Sequence, residues 1–297
     1  MTTATWMRKH TGSLDGKTVA VSGATGGLGN ALCRHLAKLG ARLILLDRNT
    51  DKSLALIERL REEFPSLQAE HIRLDLEEIP SVFAAAQELE TREIDALVLN
   101  AGAYHIPRHT CAIGYNNVFQ INFVSPYYLA RRLLPHLRER GGRVVAVGSI
   151  AHNYAKTDPT DVDFSTRRAS SKVYGNAKRH LMFALYGLCE DGSVAVTHPG
   201  ITLTNITAHY PKLIFALIKH PMKVLFMSPK RASLSILRGL FEDCRENEWS
   251  GPRWFDVWGL PRKARLRTVR AEEAAHIRQV AETTYAKMND IINTADA

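Results

Sequence analysis

Tyr174 and Lys178 lie four residues apart within Ala169–Leu185, a stretch with a helical pattern. On a helix, residues four apart share one face. An isolated tyrosine has a pKa near ~10 and is a poor base at neutral pH. A neighbouring ammonium favours the phenolate and lowers that pKa towards the range of a general acid/base. The pair therefore predicts proton transfer, although this spacing is common and depends on the rest of the chain for its meaning.

A glycine-rich turn near the start of the chain predicts a dinucleotide site. Lys17–Ser22 reads as a short buried strand, Asn30–Leu39 as a helix and Arg42–Asp47 as a second buried strand. A turn without side chains lets backbone N–H groups approach a pyrophosphate at the helix N-terminus. The residues assigned to cofactor binding here are Ser22, Gly23, Thr25, Gly26, Gly27, Leu28 and Gly29.

Two charged residues at the end of the second strand bear on the choice of nucleotide. The Asp47 carboxylate can accept the adenosine ribose hydroxyls and would repel a 2′-phosphate, which favours NAD(H). Arg48 could instead clamp that phosphate, so NADP(H) stays open.

Further strands alternate with helices along the chain, at His71–Asp75, Ile94–Leu99, Gly142–Gly148 and Ser193–His198. This alternation predicts an α/β fold with a doubly wound, mostly parallel sheet, in which ligands bind beyond the carboxyl ends of the strands. The residues that follow those ends are assigned to the same site: Asp75, Leu76, Asn100, Ala101, Gly102, Ser149, Pro199, Gly200, Thr202 and Thr204.

The chain resembles the short-chain dehydrogenase/reductase family, because it carries several of that family's motifs in the family's order. These motifs are the glycine turn, Asn100-Ala-Gly, Asn122, Ser149, Tyr174/Lys178 and Pro199-Gly200. The resemblance covers roughly residues 14–245. The longer segment Ile150–Val173, His198-Pro-Gly and Met222–Lys230 is similar to the retinol-dehydrogenase-like branch. Leu99 replaces the first asparagine of the family's usual Asn-Asn-Ala-Gly, and Ser22 stands where threonine is usual.

The resemblance implies a single Rossmann domain that interconverts an alcohol and its carbonyl with NAD(H) or NADP(H). It implies that Tyr174 exchanges a proton with the substrate oxygen and that Ser149 hydrogen-bonds the same oxygen. Lys178 would hold the nicotinamide ribose and lower the pKa of the tyrosine. Asn122 would bind a water that relays protons to the lysine.

Pro126 gives a physical reason for a free carbonyl at Asn122. Proline lacks an N–H, so the Asn122 carbonyl four residues earlier loses its helical partner, and the predicted helix Gly114–Arg140 should kink there. A kink that serves only packing is the alternative.

The apolar segment Pro211–Met227 is interrupted by lysines and proline, so it is not a membrane span. It lies within the region of about 205–227 where the family places a substrate lid. An apolar lid, peripheral membrane contact and plain packing stay open, and the first two suggest a lipophilic substrate, steroid-, retinoid- or other ketone-like. Residues 1–245 are predicted to form the catalytic domain, and residues 246–297 a C-terminal extension packed on it or trailing it.

Composition narrows the class of protein further. The chain has 297 residues, 45% hydrophobic and 23% charged, with a net charge of +9. The basic residues are mostly dispersed and match no nucleic-acid motif, so no nucleic-acid partner is expected. The densest cluster reads as a solvated basic tail, with attraction to anionic lipid or a phosphorylated cofactor as the alternatives: Arg253, Arg262, Lys263, Arg265, Arg267 and Arg270. Four scattered cysteines suggest free thiols, and the N-terminus does not read as a signal peptide, so we expect a cytoplasmic protein. A homo-oligomer is compatible with the pattern.

The histidines lack metal-ligand spacing, so no metal is expected; His152 and His209 read as solvated loop residues, with pocket lining as the alternative. A catalytically silent dinucleotide-sensing regulator of the same fold is the competing function.

Overall fold

The computed structural model describes residues 1–189, 191–202, 227–243, 245–266 and 269–295, with side chains as far as Thr294. Within these residues the strands form one eight-stranded sheet in the order β3-β2-β1-β4-β5-β6-β7-β8. Strands β1 to β7 run parallel, and β8 pairs antiparallel to β7. The strands are β1 Thr18–Ser22, β2 Arg42–Asp47, β3 Ala69–Arg73, β4 Ala96–Leu99, β5 Arg143–Val147, β6 Val194–Thr197, β7 Glu248–Trp254 and β8 Trp258–Arg265.

Helices cover both faces of this sheet. The described helices are α1 Thr3–His10, α2 Gly27–Lys38, α3 Thr50–Glu63, α4 Ile79–Glu90, α5 Asn117–Phe119, α6 Ser125–Glu139, α7 Ser170–Tyr186, α8 Pro229–Phe241 and α9 Ala271–Ala295. One hydrophobic cluster lies beneath α1, α2, α3 and α8, and a second lies beneath α4, α6, α7 and α9. The central strands β4 and β6 are buried along their whole length because both faces are covered. The predicted doubly wound α/β fold is confirmed.

The hairpin formed by β7 and β8 was not predicted. Glycine, proline and charged residues interrupt its sequence, and Pro252 pairs directly with Pro261. Such a composition reads as turn or loop, because proline cannot donate to a strand ladder. The indole of Trp249 is nevertheless buried, and Ser250 pairs with Thr197 of β6, so the sheet continues past residue 245 into the region predicted as a C-terminal extension.

The predicted helix Gly114–Arg140 is divided into three parts. A π-helical segment, Gln120–Val124, separates α5 from α6, and Pro126 lies in the first turn of α6. The irregularity therefore falls where the proline removes a backbone donor. It takes the form of a local widening of the helix around Asn122.

Among the described residues, no helix is both long enough and apolar enough to span a bilayer.

Candidate active site

A cleft of 1210 Å³ opens at the carboxyl ends of the parallel strands. It collects nearly all of the residues predicted from the sequence: Gly23, Thr25, Gly26, Gly27, Leu28, Gly29, Asp47, Arg48, Asp75, Leu76, Asn100, Ala101, Gly102, Ser149, Tyr174, Lys178, Pro199, Gly200 and Thr202. Ser22 and Asn122 lie behind its wall instead. Thr204, most of the predicted lid and His209 lie outside the described residues.

The turn between β1 and α2 is packed so closely that side chains would not fit at two of its glycines. Gly23 has a φ of +67°, and a Cβ there would lie 2.9 Å from Ala101 Cα. A Cβ on Gly29 would lie 2.2 Å from the Gly23 carbonyl oxygen. The missing side chains leave the N-terminus of α2 open to the cleft, where a phosphate group is favoured.

Ser22 and Asn100 tie this turn to the end of β4. The Ser22 hydroxyl donates to the Val98 carbonyl and accepts from the N–H groups of Asn100 and Ala101, both at 3.0 Å. The Asn100 amide donates to the carbonyls of Ser22 and Gly23. Its Oδ1 is buried and has no partner among the described residues, although Asn100 lines the cleft. An unpaired acceptor beside a glycine cradle fits a bound dinucleotide, which carries hydroxyl and amide donors.

At the far end of the cleft, the Asp47 carboxylate is fixed by three donors. Thr25 donates through its N–H at 3.2 Å and its hydroxyl at 2.8 Å, and Ser53 donates at 3.1 Å. Arg48 and Lys52 line the same end and are exposed. A buried carboxylate therefore lies beside two cations at the position predicted to hold the adenosine ribose.

Tyr174 and Ser149 meet at the centre of the cleft. The Ser149 side chain hydrogen-bonds the Tyr174 phenol, and the Tyr104 ring packs edge-on against that of Tyr174, with centroids 5.4 Å apart. Burial raises the pKa of Tyr174 to about 12, against the hydrogen bond from Ser149, which lowers it. Tyr104 was missed from the sequence because a loop residue with no motif gives no sign of its partner.

Lys178 is buried, and its Nζ donates to the Val147 carbonyl at 2.9 Å. The same Nζ lies 5.8 Å from the Tyr174 ring centroid. Burial lowers the pKa of Lys178 to about 8. The pKa of Tyr174 is raised in this structure because burial of the phenol outweighs the hydrogen bond from Ser149. A lowering of that pKa by the Lys178 ammonium stays a prediction.

Asn122 is fully buried and clamps the chain next to the cleft. Its Oδ1 accepts from the Ala103 N–H at 3.3 Å, and its Nδ2 donates to the carbonyls of Ala103 and Val118, both at 2.8 Å. A Cβ on Gly102 would lie 2.7 Å from Asn122 Oδ1 and 3.6 Å from Lys178 Nζ. Asn122 thus fixes the strand end beside the lysine, and its water-relay role stays a prediction.

Two histidines near Ser149 are buried. His152 hydrogen-bonds the Ser149 carbonyl through Nδ1 at 2.6 Å, and Arg179 donates to the His152 carbonyl. His198 stacks on Trp249 with centroids 4.8 Å apart. Burial lowers the pKa of both histidines. Reading His152 as a solvated loop residue was wrong, because the unpredicted β7 supplies the Trp249 indole that covers it.

Within the described part of the chain, no group of three or more His, Cys, Asp or Glu side chains is placed to hold a metal ion.

Comparison with known proteins points to one family. The model of the short chain dehydrogenase family matches residues 17–160. The chain is 32% identical over 231 residues to the short chain dehydrogenase resG of Aspergillus sclerotiorum, covering 65% of this chain and 64% of that protein. It is 29% identical over 271 residues to mouse retinol dehydrogenase 14, covering 80% of each chain.

The alignment to resG covers 64% of that relative, which is less than two thirds of its length. Among solved structures, an uncharacterized protein from Mycobacterium Paratuberculosis has the same fold with a TM-score of 0.73 and 24% identity, covering 94% of this chain and 95% of that one. The motifs, the cleft and these matches together show that the chain belongs to the short-chain dehydrogenase/reductase family, in its retinol-dehydrogenase-like branch.

Proposed function

We propose that this protein is an NAD(P)-dependent oxidoreductase that interconverts an alcohol and its carbonyl on a lipophilic small molecule. The observation that carries the proposal is the meeting of Tyr174, Ser149 and Lys178 on the wall of the cleft that the glycine cradle opens into. A cleft built only to sense a nucleotide would have no use for a phenol and a hydroxyl placed together beside a buried lysine.

The chain's own residues handle the substrate oxygen and its proton. A bound nicotinamide supplies or accepts the hydride. Tyr174 carries its proton at neutral pH in this site, because burial raises its pKa, and so it is ready to donate to a carbonyl oxygen. Ser149 is placed to hydrogen-bond the same oxygen and to stabilise the charge that develops there.

Lys178 is the only cation among these three side chains, and its position is fixed by β5. The hydrogen bond to Val147 aligns Nζ beneath the tyrosine ring, close to Gly102 at the end of β4. We propose that this ammonium holds the nicotinamide ribose. Its depressed pKa leaves it largely protonated at pH 7 and neutral above about pH 8.

A lipophilic substrate is supported by the apolar and aromatic residues around the cleft. Tyr104, Ile106, Tyr154 and Ile201 line it together with the catalytic wall, and Tyr154 and Ile201 leave much of their apolar surface open to solvent. An apolar ligand would cover this surface. The likeness to a mouse retinol dehydrogenase supports the same substrate class.

We propose NAD(H) as the preferred nucleotide. The Asp47 carboxylate is held by Thr25 and Ser53 in the wall of the cleft, where it would repel a 2′-phosphate. Arg48 and Lys52 make NADP(H) the alternative, because two exposed cations can pair with a phosphate.

A substrate panel tests the activity. The absorbance of the reduced nicotinamide is followed with lipophilic ketones, aldehydes and alcohols, for the wild type, for Tyr174→Phe and for the control Tyr285→Phe on α9. We expect turnover that falls at least ~100-fold in Tyr174→Phe and stays unchanged in the control. Nucleotide binding without turnover on any substrate would instead support a catalytically silent sensor of the same fold.

A further inference from the structure

The turn between β7 and β8 presents three large aromatic side chains to solvent. Phe255 is 90% exposed, Trp254 57% and Trp258 42%. Few other large hydrophobic side chains are exposed among the described residues, and two of those, Tyr154 and Ile201, line the cleft. We call Trp254, Phe255 and Trp258 the aromatic tip.

The turn of the aromatic tip is tight: the Val257 N–H donates to the Trp254 carbonyl at 3.0 Å, and both residues between them have a positive φ, as such hairpin turns require. Phe255 has a φ of +53° and Asp256 one of +55°. Glycine, asparagine and aspartate are the usual residues in this conformation, and a bulky aromatic residue there is a rare exception. The turn leaves the phenyl ring of Phe255 90% exposed to water. A large apolar side chain exposed beside two exposed tryptophans points to a contact made with something outside the chain.

Cations surround the aromatic tip. The Arg253 guanidinium lies 5.8 Å from the Trp254 ring centroid, and that of Arg231 lies 4.8 Å from a ring of Trp258. Neither arginine forms an ion pair with another described residue, and Arg262 and Lys263 follow on β8. The one acid within the turn, Asp256, has its Oδ1 buried. The tip is therefore aromatic and positively charged.

The turn is joined directly to the wall of the cleft. The Asp256 carbonyl hydrogen-bonds His198 Nε2 at 2.8 Å, and the Ile201 N–H donates to the Val257 carbonyl at 3.4 Å. His198 and Ile201 both line the cleft. Whatever the aromatic tip contacts therefore lies beside this side of the cleft.

We propose that the aromatic tip docks this protein on an anionic membrane surface. Tryptophan and phenylalanine side chains insert at the boundary between headgroups and acyl chains, and flanking arginines are attracted to anionic headgroups. The two contributions together hold a protein that neither would hold alone. A second copy of the chain is a poorer occupant, because its own arginines would repel those of the tip and the edge strand β8 carries Pro261 and several basic residues.

The consequence for catalysis depends on the proposed function. Docking would place this side of the cleft against the bilayer, so that a lipophilic substrate could pass into the cleft without crossing water. The docking itself depends on no catalytic residue.

Vesicle binding by the full chain tests the proposal. Phosphatidylcholine vesicles are compared with vesicles containing 30% phosphatidylserine, a composition chosen for the experiment, by co-sedimentation and by tryptophan emission. Trp6 and Trp249 are buried, so a blue shift reports on Trp254 and Trp258. We expect binding only with phosphatidylserine, a blue shift, and at least a tenfold loss of affinity in the double variant Trp254→Ser/Phe255→Ser. Arg253→Gln should weaken binding about fivefold, the effect of one cation near the surface.

Matched variants separate this proposal from its competitors. Leu54→Ser removes an exposed side chain from α3 and should bind vesicles like the wild type, as should Tyr174→Phe even if the protein has no dehydrogenase activity. Binding that survives Trp254→Ser/Phe255→Ser but is lost in Phe215→Ser would overturn the proposal in favour of the 211–227 segment. Full vesicle binding by the double variant would also overturn the proposal. So would a wild type that does not bind vesicles but self-associates in sedimentation velocity, with the double variant remaining a monomer.

Discussion

Lys178 Nζ lies 5.8 Å from the centroid of the Tyr174 ring, while its hydrogen bond goes to the Val147 carbonyl at 2.9 Å. The lysine thus faces the ring and is anchored to β5. Lys178 is buried and Tyr174 is partly buried, and burial moves their pKa values in opposite directions, towards a neutral phenol and a neutral amine. The two side chains share a site that favours their uncharged forms.

This relationship predicts that Lys178→Met is inactive but more stable. The folded-state pKa is about 8 against an ordinary 10.5, so the charged lysine destabilises the fold below pH 8. That penalty disappears as the pH rises from 8 to 10.5, because the folded state binds fewer protons there than the unfolded state. Allowing for the lost hydrogen bond, we expect the variant to gain about 1–3 kcal/mol at pH 7.

Urea unfolding of both proteins at pH 7 and pH 10.5 measures this difference. The gain should shrink at the higher pH, and Lys172→Met, an exposed position in the first turn of α7, should change little at either. A Lys178→Met protein less stable than the wild type at pH 7 would show that the lysine is not under a burial penalty.

Gly102→Ala should damage the site through sterics alone. The added Cβ would lie 2.7 Å from Asn122 Oδ1, a side chain already held by three hydrogen bonds. We expect a loss of about 1–3 kcal/mol in the free energy of unfolding and weaker nucleotide binding, measured by urea melts and by fluorescence titration. Gly12→Ala is the control, since its nearest heavy-atom neighbour would be 3.8 Å away. Equal stability and affinity for the two variants would refute the clamp.

Asp47→Asn should shift nucleotide preference towards NADP(H). The amide keeps the size of the carboxylate and removes the charge that would repel a 2′-phosphate. We expect the ratio of NADP(H) to NAD(H) affinity to rise about tenfold, by isothermal titration calorimetry. Arg48→Gln should move the ratio the other way. If neither change alters the ratio, the end of β2 does not select the nucleotide.

The C-terminal helix α9 is fastened to the catalytic helix α7 by a largely buried ion pair. Arg179 binds Glu273 through two hydrogen bonds of 2.7 and 2.8 Å. Burial raises the pKa of Glu273, but hydrogen bonds from Arg179 and Thr157 outweigh it and bring the pKa down to about 2. The stability from this pair is therefore fully present above pH 4.5 and is lost as the pH falls towards 2.

We expect Glu273→Gln to lose about 2 kcal/mol of unfolding free energy at pH 7, because the largely buried Arg179 is left without its charged partner. The deficit relative to the wild type should narrow between pH 4.5 and pH 3. Glu272→Gln, the exposed neighbour in the same helical turn, serves as the control. A deficit that is independent of pH would mean that the ion pair is not its source.

The sequence predicted the sheet and the membership of the cleft because both follow from local patterns in a fixed order. Strand, turn and helix alternate along the chain, which predicts parallel strands. Because the carboxyl ends of parallel strands meet at one edge of the sheet, Asp47, Asn100 and Ser149 are brought together however the helices pack. The surroundings of individual side chains could not be predicted from the sequence. The shift of the Tyr174 pKa depends on burial by segments distant in the sequence. His152 is covered by Trp249, which lies in a hairpin that was not predicted because its strands contain prolines.

Asn122 shows the same division between local and distant causes. Its position before Pro126 predicted an irregular helix, and a π-helical segment lies there. Its bonds to Ala103 join segments nearly twenty residues apart, and no periodicity within the chain reveals such a contact.

Single-turnover hydride transfer in Tyr174→Phe tests the central claim most directly. The variant is first shown by fluorescence titration to bind nucleotide with unchanged affinity and is then mixed with a lipophilic carbonyl that the wild type reduces. We predict that the rate of hydride transfer, measured from nicotinamide absorbance, falls at least ~100-fold at pH 7. The rate should also lose any pH dependence that comes from ionisation of Tyr174. Hydride transfer at the wild-type rate in this variant would contradict the assignment of Tyr174 as the proton donor.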